Sequence, residues 1–186
     1  MEDEAIIALY FARDQRALAE TGAKYGGFLL RLSQNILGAR QDAEECVNDA
    51  YLRAWNAMPP ERPAFLGTWL GRIVRNLSLD RWKRERAQKR GGGETEILLG
   101  ELAECVPAPH GVEKSLEDRE AAKALEDFLR ALPADRRDLF LRRYWYGESI
   151  ADIAGRYGCG AGRVKSALYR TRQALRAYLE KEGIAL

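Results

Sequence analysis

The sequence of 186 residues predicts an all-α protein in which a linker joins two small helical domains. Three observations predict this fold class. Apolar residues recur at three- and four-residue steps, no stretch of useful length alternates as a β-strand does, and a segment rich in glycine, proline and acidic residues separates two basic regions. The predicted bounds are residues 1–90 for the first domain, 91–112 for the linker and 113–186 for the second domain.

The first two predicted helices supply much of the core of the first domain. One of them ends at a stop signal, Gly38, and has a mostly apolar face made of Leu18, Thr21, Tyr25, Phe28, Leu32 and Ile36. The next helix runs from about Asp42 to Trp55, and three prolines between residues 59 and 63 end its pattern. Its predicted buried residues are Val47, Tyr51 and Ala54.

The third predicted helix begins near Phe65 and is apolar on one side and basic on the other. The apolar side contains Leu66, Trp69, Leu70, Ile73, Val74 and Leu77. The opposite side contains residues spaced by three or four positions, namely Arg72, Asn76, Leu79, Lys83, Arg86 and Arg90. Residues 72–90 hold eight basic and two acidic side chains, so this helix carries a strong positive charge.

The predicted linker is acidic and contains many helix breakers. Residues 94–120 hold eight acidic and two basic side chains, with three glycines at 91–93 and further breakers at Pro107, Pro109 and Gly111. Its few apolar residues either pack on one of the domains or have no packing role; they are Ile97, Leu98, Leu99 and Leu102.

The second domain is predicted to contain a helix-turn-helix. Ser149 and Asp152 form a capping-box pattern that starts a short helix, and three glycines between residues 158 and 162 make the turn. The following helix buries Val164, Leu168, Leu175 and Leu179, and its far side holds Lys165, Ser166, Tyr169, Arg170, Gln173 and Arg176. Because residues 163–179 contain five basic side chains and no acidic one, the predicted partner is duplex DNA.

Several classes of protein are excluded by composition. No apolar run approaches the roughly 18 residues of a membrane span, so no membrane insertion is expected. The first residues, MEDEAIIALYFARD, are acidic where a secretory signal is basic, which predicts a cytoplasmic location. The three cysteines lie far apart without a CxxC pair, so neither a disulfide framework nor a zinc site is predicted.

The sequence also lacks the residue patterns of an enzyme. It contains no carboxylate cluster, no nucleophile paired with a base and no P-loop. The single histidine, His110, lies between Pro109 and Gly111 and is predicted to be an ordinary linker residue. We therefore predict no catalytic residue, no metal ligand and no cofactor.

Three stretches resemble bacterial RNA polymerase sigma factors of the extracytoplasmic-function (ECF) class. They are DAEECVNDAYLRAW, FLGTWLGRIVRNLSLDRWKRER and LPADRRDLFLRRYWYGESIADIAGRYGCGAGRVKSALYRTRQAL, in the order and spacing of that family. The resemblance covers roughly residues 18–90 and 113–179. It implies an alternative sigma factor whose partners are core RNA polymerase, through the β′ clamp coiled coil and the β flap, promoter DNA and a cognate anti-sigma factor.

The resemblance also implies roles for individual residues. The polymerase-binding residues would be Asp42, Glu45, Asn48, Asp49 and Arg53. The −10 element would be bound by Arg72, Arg75, Asn76, Lys83, Arg84 and Arg86, with Asn76 lining a pocket for a flipped base. The −35 element would be bound by Arg163, Lys165, Ser166, Tyr169, Arg170 and Arg172.

Departures from the family pattern leave the −35 preference open. Gly160 and Arg163 stand where the family often has serine and threonine, and Ala167 replaces a common basic residue. A second reading of the chain is a stand-alone helix-turn-helix regulator, which would use the second domain in the same way. Such a regulator would have no use for the DAEECVNDAYLRAW surface.

Overall fold

The computed structural model describes residues 1–88, 93–106 and 116–184, with side chains described in those ranges except at 86–88 and 116–118. Two sets of residues lie outside the described ranges. They are residues 91, 92 and 107–112 of the predicted linker, which include His110, and Arg90 of the basic helix. The described residues form helices and no strand, which confirms the all-α class: α1 (Asp3–Phe11), α2 (Arg16–Leu37), α3 (Arg40–Ala57), α4 (Leu66–Gln88), α5 (Glu94–Ala103), α6 (Leu116–Ala131), α7 (Ala134–Tyr144), α8 (Ile150–Tyr157) and α9 (Ala161–Lys181).

The chain divides into two compact units, residues 1–91 and 92–186. In the first unit, α2, α3 and α4 pack against one another and α1 packs on α2. The core of this unit contains Val47, Leu70 and Val74 from the predicted apolar faces, while the predicted Tyr25 and Tyr51 are only partly buried against it. Gly38, with a φ of 79°, ends α2 as the sequence predicted.

Two glycines bring α4 close to α2. A Cβ atom at Gly67 would lie 2.6 Å from the ring of Tyr25, and one at Gly71 would lie 3.3 Å from the ring of Phe28. A side chain at Gly67 would therefore push the basic helix away from its neighbour. Ser33 and Ser78 also join α2 to α4 through a hydrogen bond of 2.7 Å between their buried hydroxyls.

Helix α1 is an element that the sequence predictions do not contain. It buries Ile6, Ile7 and Tyr10, and the Tyr10 hydroxyl makes a buried hydrogen bond of 2.9 Å with Thr21 Oγ1. Its first turn is held to α2, because Lys24 and Tyr25 both donate to the Asp3 carboxylate.

In the second unit, the predicted helix-turn-helix is formed by α8 and α9. Ser149 caps α8 by accepting a hydrogen bond of 3.1 Å from the Asp152 backbone N–H, as the capping-box pattern predicted. Gly158 ends α8 in the left-handed conformation, with a φ of 59°. The apolar face of α9 packs on a core made with α6 and α7, whose buried residues include Val164, Leu168, Leu175, Leu179, Phe128 and Phe140.

The predicted linker differs from the structure, since it contains α5 and this helix belongs to the second unit. Leu98 and Cys105 are buried in the second core, and Leu99 and Leu102 pack against it. The apolar residues of this segment therefore dock on a domain rather than remaining without a packing role. Ile97 is the exception, with 54% of its surface exposed.

No helix in the described ranges combines the length and the apolar character needed to cross a membrane.

Candidate functional site

Helix α9 presents a polar reading surface, which we define as Lys165, Ser166, Tyr169 and Arg170. All four side chains are exposed, and Tyr169 exposes 55% of its surface. The surface faces outward because Val164 and Leu168, on the other side of the same turns, are almost completely buried. Arg163 is also exposed in the first turn of α9. The structure therefore brings together five of the six residues predicted for the −35 element.

The sixth residue, Arg172, points into the unit and corrects the prediction. It is only 9% exposed, and its Nη1 donates a hydrogen bond of 2.6 Å to the Tyr144 hydroxyl. The same nitrogen lies 3.6 Å from the carboxylate of Glu101. Arg172 follows Leu168 by four residues, so it belongs to the buried stripe of α9 and holds α9 to α5 and α7.

Ion pairs beneath the helix-turn-helix stabilise its geometry. Arg142 bridges Asp138 at 3.0 Å and Glu148 at 3.1 Å, and Arg156 of α8 also approaches Glu148 at 3.4 Å. Burial alone would raise the pKa of Asp138, but the hydrogen bonds donated by Tyr157 and Arg142 outweigh it and lower that pKa. These contacts tie α8 to α7, and α9 packs on both of these helices.

Helix α4 carries the residues predicted for the −10 element on its outer face. Arg72, Asn76, Lys83 and Arg84 are exposed, and Arg84 Nε donates to the Asp80 carbonyl at 3.2 Å. Arg75 is only partly exposed, and burial lowers the pKa of its guanidinium below its usual value. Arg86 lies in α4, but its side chain is outside the described set. Arg72, Asn76 and Lys83 share one side of α4 because they are four and seven residues apart, whereas Arg84 follows Lys83 directly and lies about 100° further round the helix.

Helix α3 carries the residues predicted to contact the polymerase. Glu45, Asn48, Asp49 and Arg53 are exposed, and Asp42 is partly exposed. An exposed leucine, Leu52, lies on the same helix with 59% of its surface accessible. It follows Asn48 and Asp49 by four and three residues and therefore shares their face.

The acidic face of α3 is engaged by a residue that the sequence predictions do not include, Arg81 of α4. Its guanidinium pairs with Asp42, with Glu45 at 2.6 Å and with Glu85 at 2.8 Å. Hydrogen bonds to Glu45 and Glu85 raise the pKa of Arg81 above its usual value. Only the Arg81–Glu85 pair has a sequence signal, since its members are four residues apart.

No group of three or more His, Cys, Asp or Glu side chains could hold a metal ion in the part of the chain that the structure describes. The three cysteines are free thiols; Cys46 and Cys105 are buried and Cys159 is partly buried. The surfaces formed by α3, α4 and α9 consist mainly of charged and hydrogen-bonding side chains.

Two family models match the chain. The one described as Sigma-70 region 2 matches residues 23–88, which include the α3 and α4 surfaces. The one described as Sigma-70, region 4 matches residues 122–175, which include the helix-turn-helix and the reading surface of α9.

The chain is similar to several curated sigma factors. It is 33% identical to the probable RNA polymerase sigma factor RfaY of Xanthomonas campestris pv. campestris over 135 residues, which are 72% of this chain and 33% of the relative. It is 28% identical to the ECF RNA polymerase sigma factor SigE of Mycolicibacterium smegmatis over 153 residues, which are 82% of this chain and 58% of the relative. It is 27% identical to the ECF RNA polymerase sigma factor SigL of Mycobacterium tuberculosis over 168 residues, covering 87% of this chain and 88% of the relative.

The chain therefore spans one third of the length of RfaY and 58% of SigE, but most of SigL. A solved structure, that of CnrH in complex with the cytosolic domain of CnrY, matches with a TM-score of 0.42 and 21% identity, covering 96% of this chain and 97% of that chain.

Proposed function

We propose that this chain binds core RNA polymerase and directs transcription initiation at promoters with −10 and −35 elements. The proposal follows from its membership of the ECF class of the sigma-70 family. The observation that carries the proposal is the presence of three separate polar surfaces in one chain. These are an acidic face on α3, a basic face on α4 and the reading surface of α9. A DNA-binding protein that acts alone has no need for the first of them.

On this proposal the chain is a binding factor and not an enzyme. It selects the promoter, and RNA polymerase supplies the catalysis. The chain then acts in the cytoplasm, where bacterial RNA polymerase and chromosomal DNA are found.

The reading surface of α9 would enter the major groove at the −35 element. A helix with its side chains fits that groove, and residues near its first turns meet base edges while flanking cations meet phosphates. Lys165, Ser166, Tyr169 and Arg170 occupy those turns and are exposed. Arg170 is suited to a bidentate contact with a guanine edge, whereas Arg163 is placed to contact a phosphate.

The outer face of α4 would hold the −10 element. Arg72, Lys83 and Arg84 attract the phosphate backbone, because all three are exposed cations on α4. Asn76 lies between them and its amide both donates and accepts hydrogen bonds, so it can read the edge of an unpaired base. Arg75 is partly buried and would act by positioning the exposed residues of α4. Arg86 remains a residue predicted for the same element.

The α3 surface would bind the clamp coiled coil of the β′ subunit. Glu45 and Asp49 supply negative charge, Asn48 and Arg53 supply hydrogen bonds, and the exposed Leu52 supplies an apolar contact that would be desolvated in the complex. We propose further that the second unit contacts the flap of the β subunit, and that a cognate anti-sigma factor competes for these surfaces.

Run-off transcription tests the proposal. The purified chain and core RNA polymerase are incubated with a library of genomic fragments, and transcripts are sequenced with and without the chain. We expect discrete start sites that require the chain and share two upstream elements. A matched pull-down of core polymerase distinguishes the stand-alone regulator, which binds DNA but does not retain the polymerase. Failure to retain core polymerase, together with no chain-dependent start site, would overturn the proposal.

A further inference from the structure

A groove lies between α7 and the first turns of α9, beside the reading surface. Its volume is about 580 Å³, which is within the range of pockets that admit a ligand group. Three apolar side chains that are buried or partly buried form its floor, and three exposed arginines form its rim. The floor is Leu139, Val164 and Ala167, and the rim is Arg136, Arg163 and Arg170.

The charge of this groove suits a polyanion. Among the described residues that line it, Asp135 is the single carboxylate, so the three arginines leave a net charge of +2. Arg163 and Arg170 belong to the helix that is proposed to enter the major groove, whereas Arg136 is contributed by α7. The phosphates of DNA are therefore the expected partner of the rim.

Ala167 stands between the two arginines that α9 contributes to the rim. It follows Arg163 by four residues and precedes Arg170 by three, so the three side chains form one row along the helix. Ala167 is partly exposed, and its backbone carbonyl accepts a hydrogen bond of 2.9 Å from the Thr171 hydroxyl. The group that Ala167 offers to a partner is therefore its methyl group.

The start of α9 leaves the groove accessible. Gly162 lines the groove, and a Cβ atom at this residue would have no described atom within 4 Å. The same is true of Gly160, which directly precedes α9. A base edge can thus approach Ala167 without meeting a side chain from either glycine.

A methyl group distinguishes thymine from the other bases in the major groove. Thymine presents its C5-methyl there, whereas the other bases present hydrogen-bonding groups. Placing one of those groups against Leu139 and Ala167 would cost its desolvation without supplying a partner. Ala167 and Arg170 are about 4.5 Å apart along α9, and successive base pairs are about 3.4 Å apart. Ala167 is therefore placed to meet a base pair next to the one that Arg170 contacts.

We propose that Ala167 is a specificity-determining residue, and that its methyl group and the floor of the groove contact the C5-methyl of a thymine in the −35 element. The thymine lies next to the guanine that Arg170 reads, and Arg136 and Arg163 contact the phosphates beside it. This inference rests on the proposed function. It adds a base preference to the −35 element and a phosphate contact from α7.

Replacement of thymine by deoxyuridine tests the base contact, because deoxyuridine lacks only the C5-methyl. The parent chain bound to core polymerase is titrated with promoter duplexes in which each −35 thymine is replaced in turn. We expect one position, next to the one whose preference Arg170→Ala blurs, where loss of the methyl weakens binding about three- to fivefold. Ala167→Gly should bind the thymine and deoxyuridine duplexes about equally. Ala174→Gly makes the same change at an exposed position two turns further along α9 and should keep the sensitivity of the parent.

A −35 consensus without thymine beside the position read by Arg170 would overturn the proposal. Binding that is unaffected by deoxyuridine at every thymine would overturn it too, because Ala167 would then be a passive residue in a phosphate cradle. Equal sensitivity in the parent and in Ala167→Gly would show that another group contacts the methyl and would refute the assignment to Ala167. If the parent fails to initiate transcription with core polymerase, the proposed function itself is wrong, whereas normal initiation with no methyl-sensitive thymine refutes only this inference.

Arg136→Ala tests the phosphate contact from α7. This variant should bind all −35 sequences more weakly, keep the parent consensus and flatten the salt slope by about one unit. Arg130→Ala removes the same charge from α6, where Arg130 pairs with Glu126 at 2.7 Å, and should leave the slope unchanged. Equal salt slopes for the parent and Arg136→Ala would show that Arg136 does not contact DNA.

Discussion

Two arginines of α9, only two residues apart, should behave in opposite ways when each is replaced by alanine. Arg170 is exposed, whereas Arg172 is 9% exposed and donates a hydrogen bond of 2.6 Å to the Tyr144 hydroxyl. A hydrogen bond from a charged donor contributes about 1.5–3 kcal/mol, and lost contacts of buried methylenes add about 1 kcal/mol. Arg172→Ala should therefore destabilise the second unit by about 3 kcal/mol, and Arg170→Ala should change stability by less than about 0.5 kcal/mol.

Thermal unfolding followed by circular dichroism measures the difference, with hydrogen exchange assigning each transition to its unit. For a unit of this size, Arg172→Ala should lower the midpoint by more than about 10 °C, while Arg170→Ala leaves it nearly unchanged. In a randomised-promoter selection, Arg170→Ala should blur the preference at one −35 position at a cost of about 1–3 kcal/mol. Arg176→Ala, which changes an exposed arginine paired with Glu180 at 3.0 Å, is the matched control and should keep the parent consensus.

The reasoning is refuted if Arg172→Ala is as stable as the parent and alters the −35 consensus, because Arg172 would then face DNA. Identical consensus sequences from the parent and Arg170→Ala would show that the basic face is a nonspecific phosphate cradle. In that case Arg170→Ala should lower affinity for all sequences alike and flatten the salt slope by about one unit.

Three further predictions address the other surfaces. Reversing the charge of Asp49 and changing Glu45, which pairs with Arg81, to Gln should weaken association with core polymerase without loss of helical content; undiminished co-purification would show that the interface lies elsewhere. Asn76→Ala should reduce promoter opening more than closed-complex binding, because the phosphate contacts persist, and unchanged permanganate reactivity of −10 thymines would argue against a flipped-base role. The folded-state pKa of Asp138 is lowered below its usual value of 3.8, so its contribution to stability is present above the unfolded pKa and is lost as the pH falls through the folded pKa. The difference in unfolding free energy between the parent and Asp138→Asn should therefore shrink below about pH 4, and a difference independent of pH would exclude this ionic role.

The sequence predicted the helices whose apolar faces repeat regularly. Helices α2, α3, α4 and α9 each bury residues at three- and four-residue steps, and the prediction of a buried stripe on α9 is confirmed from Val164 to Leu179. The short α8 buries only the adjacent Ile153 and Ala154 and was predicted from its capping box. The position of Arg172 could have been read from the same stripe, since it follows Leu168 by four residues. The charge count over residues 163–179 obscured this, because a count does not say which side of a helix a charge occupies.

Contacts between distant residues could not be predicted in the same way. Helix α5 is held by Arg143, which is 49 residues from Glu94, and no local pattern announces such a pair. Arg81 reaches Glu45 across 36 residues, so the acidic face of α3 looked unpaired in the sequence. These side chains find their partners only after the helices have packed, and their charges are compensated by the fold rather than by their neighbours in the chain.

The small size of the reading surface on α9 limits how much information the second unit can extract from a genome. One side chain distinguishes about one base pair, so four side chains specify a sequence of about four base pairs, which recurs by chance about once in 256 positions. A chromosome offers about a million competing positions or more, and thousands of them would match that sequence by chance. On the proposed function, neither the −10 element nor the −35 element is therefore sufficient to specify a promoter, and both must occur together. Because each element is so short, one or two substitutions in the reading surface of α9 would direct the chain to a new set of promoters while the buried core remained unchanged.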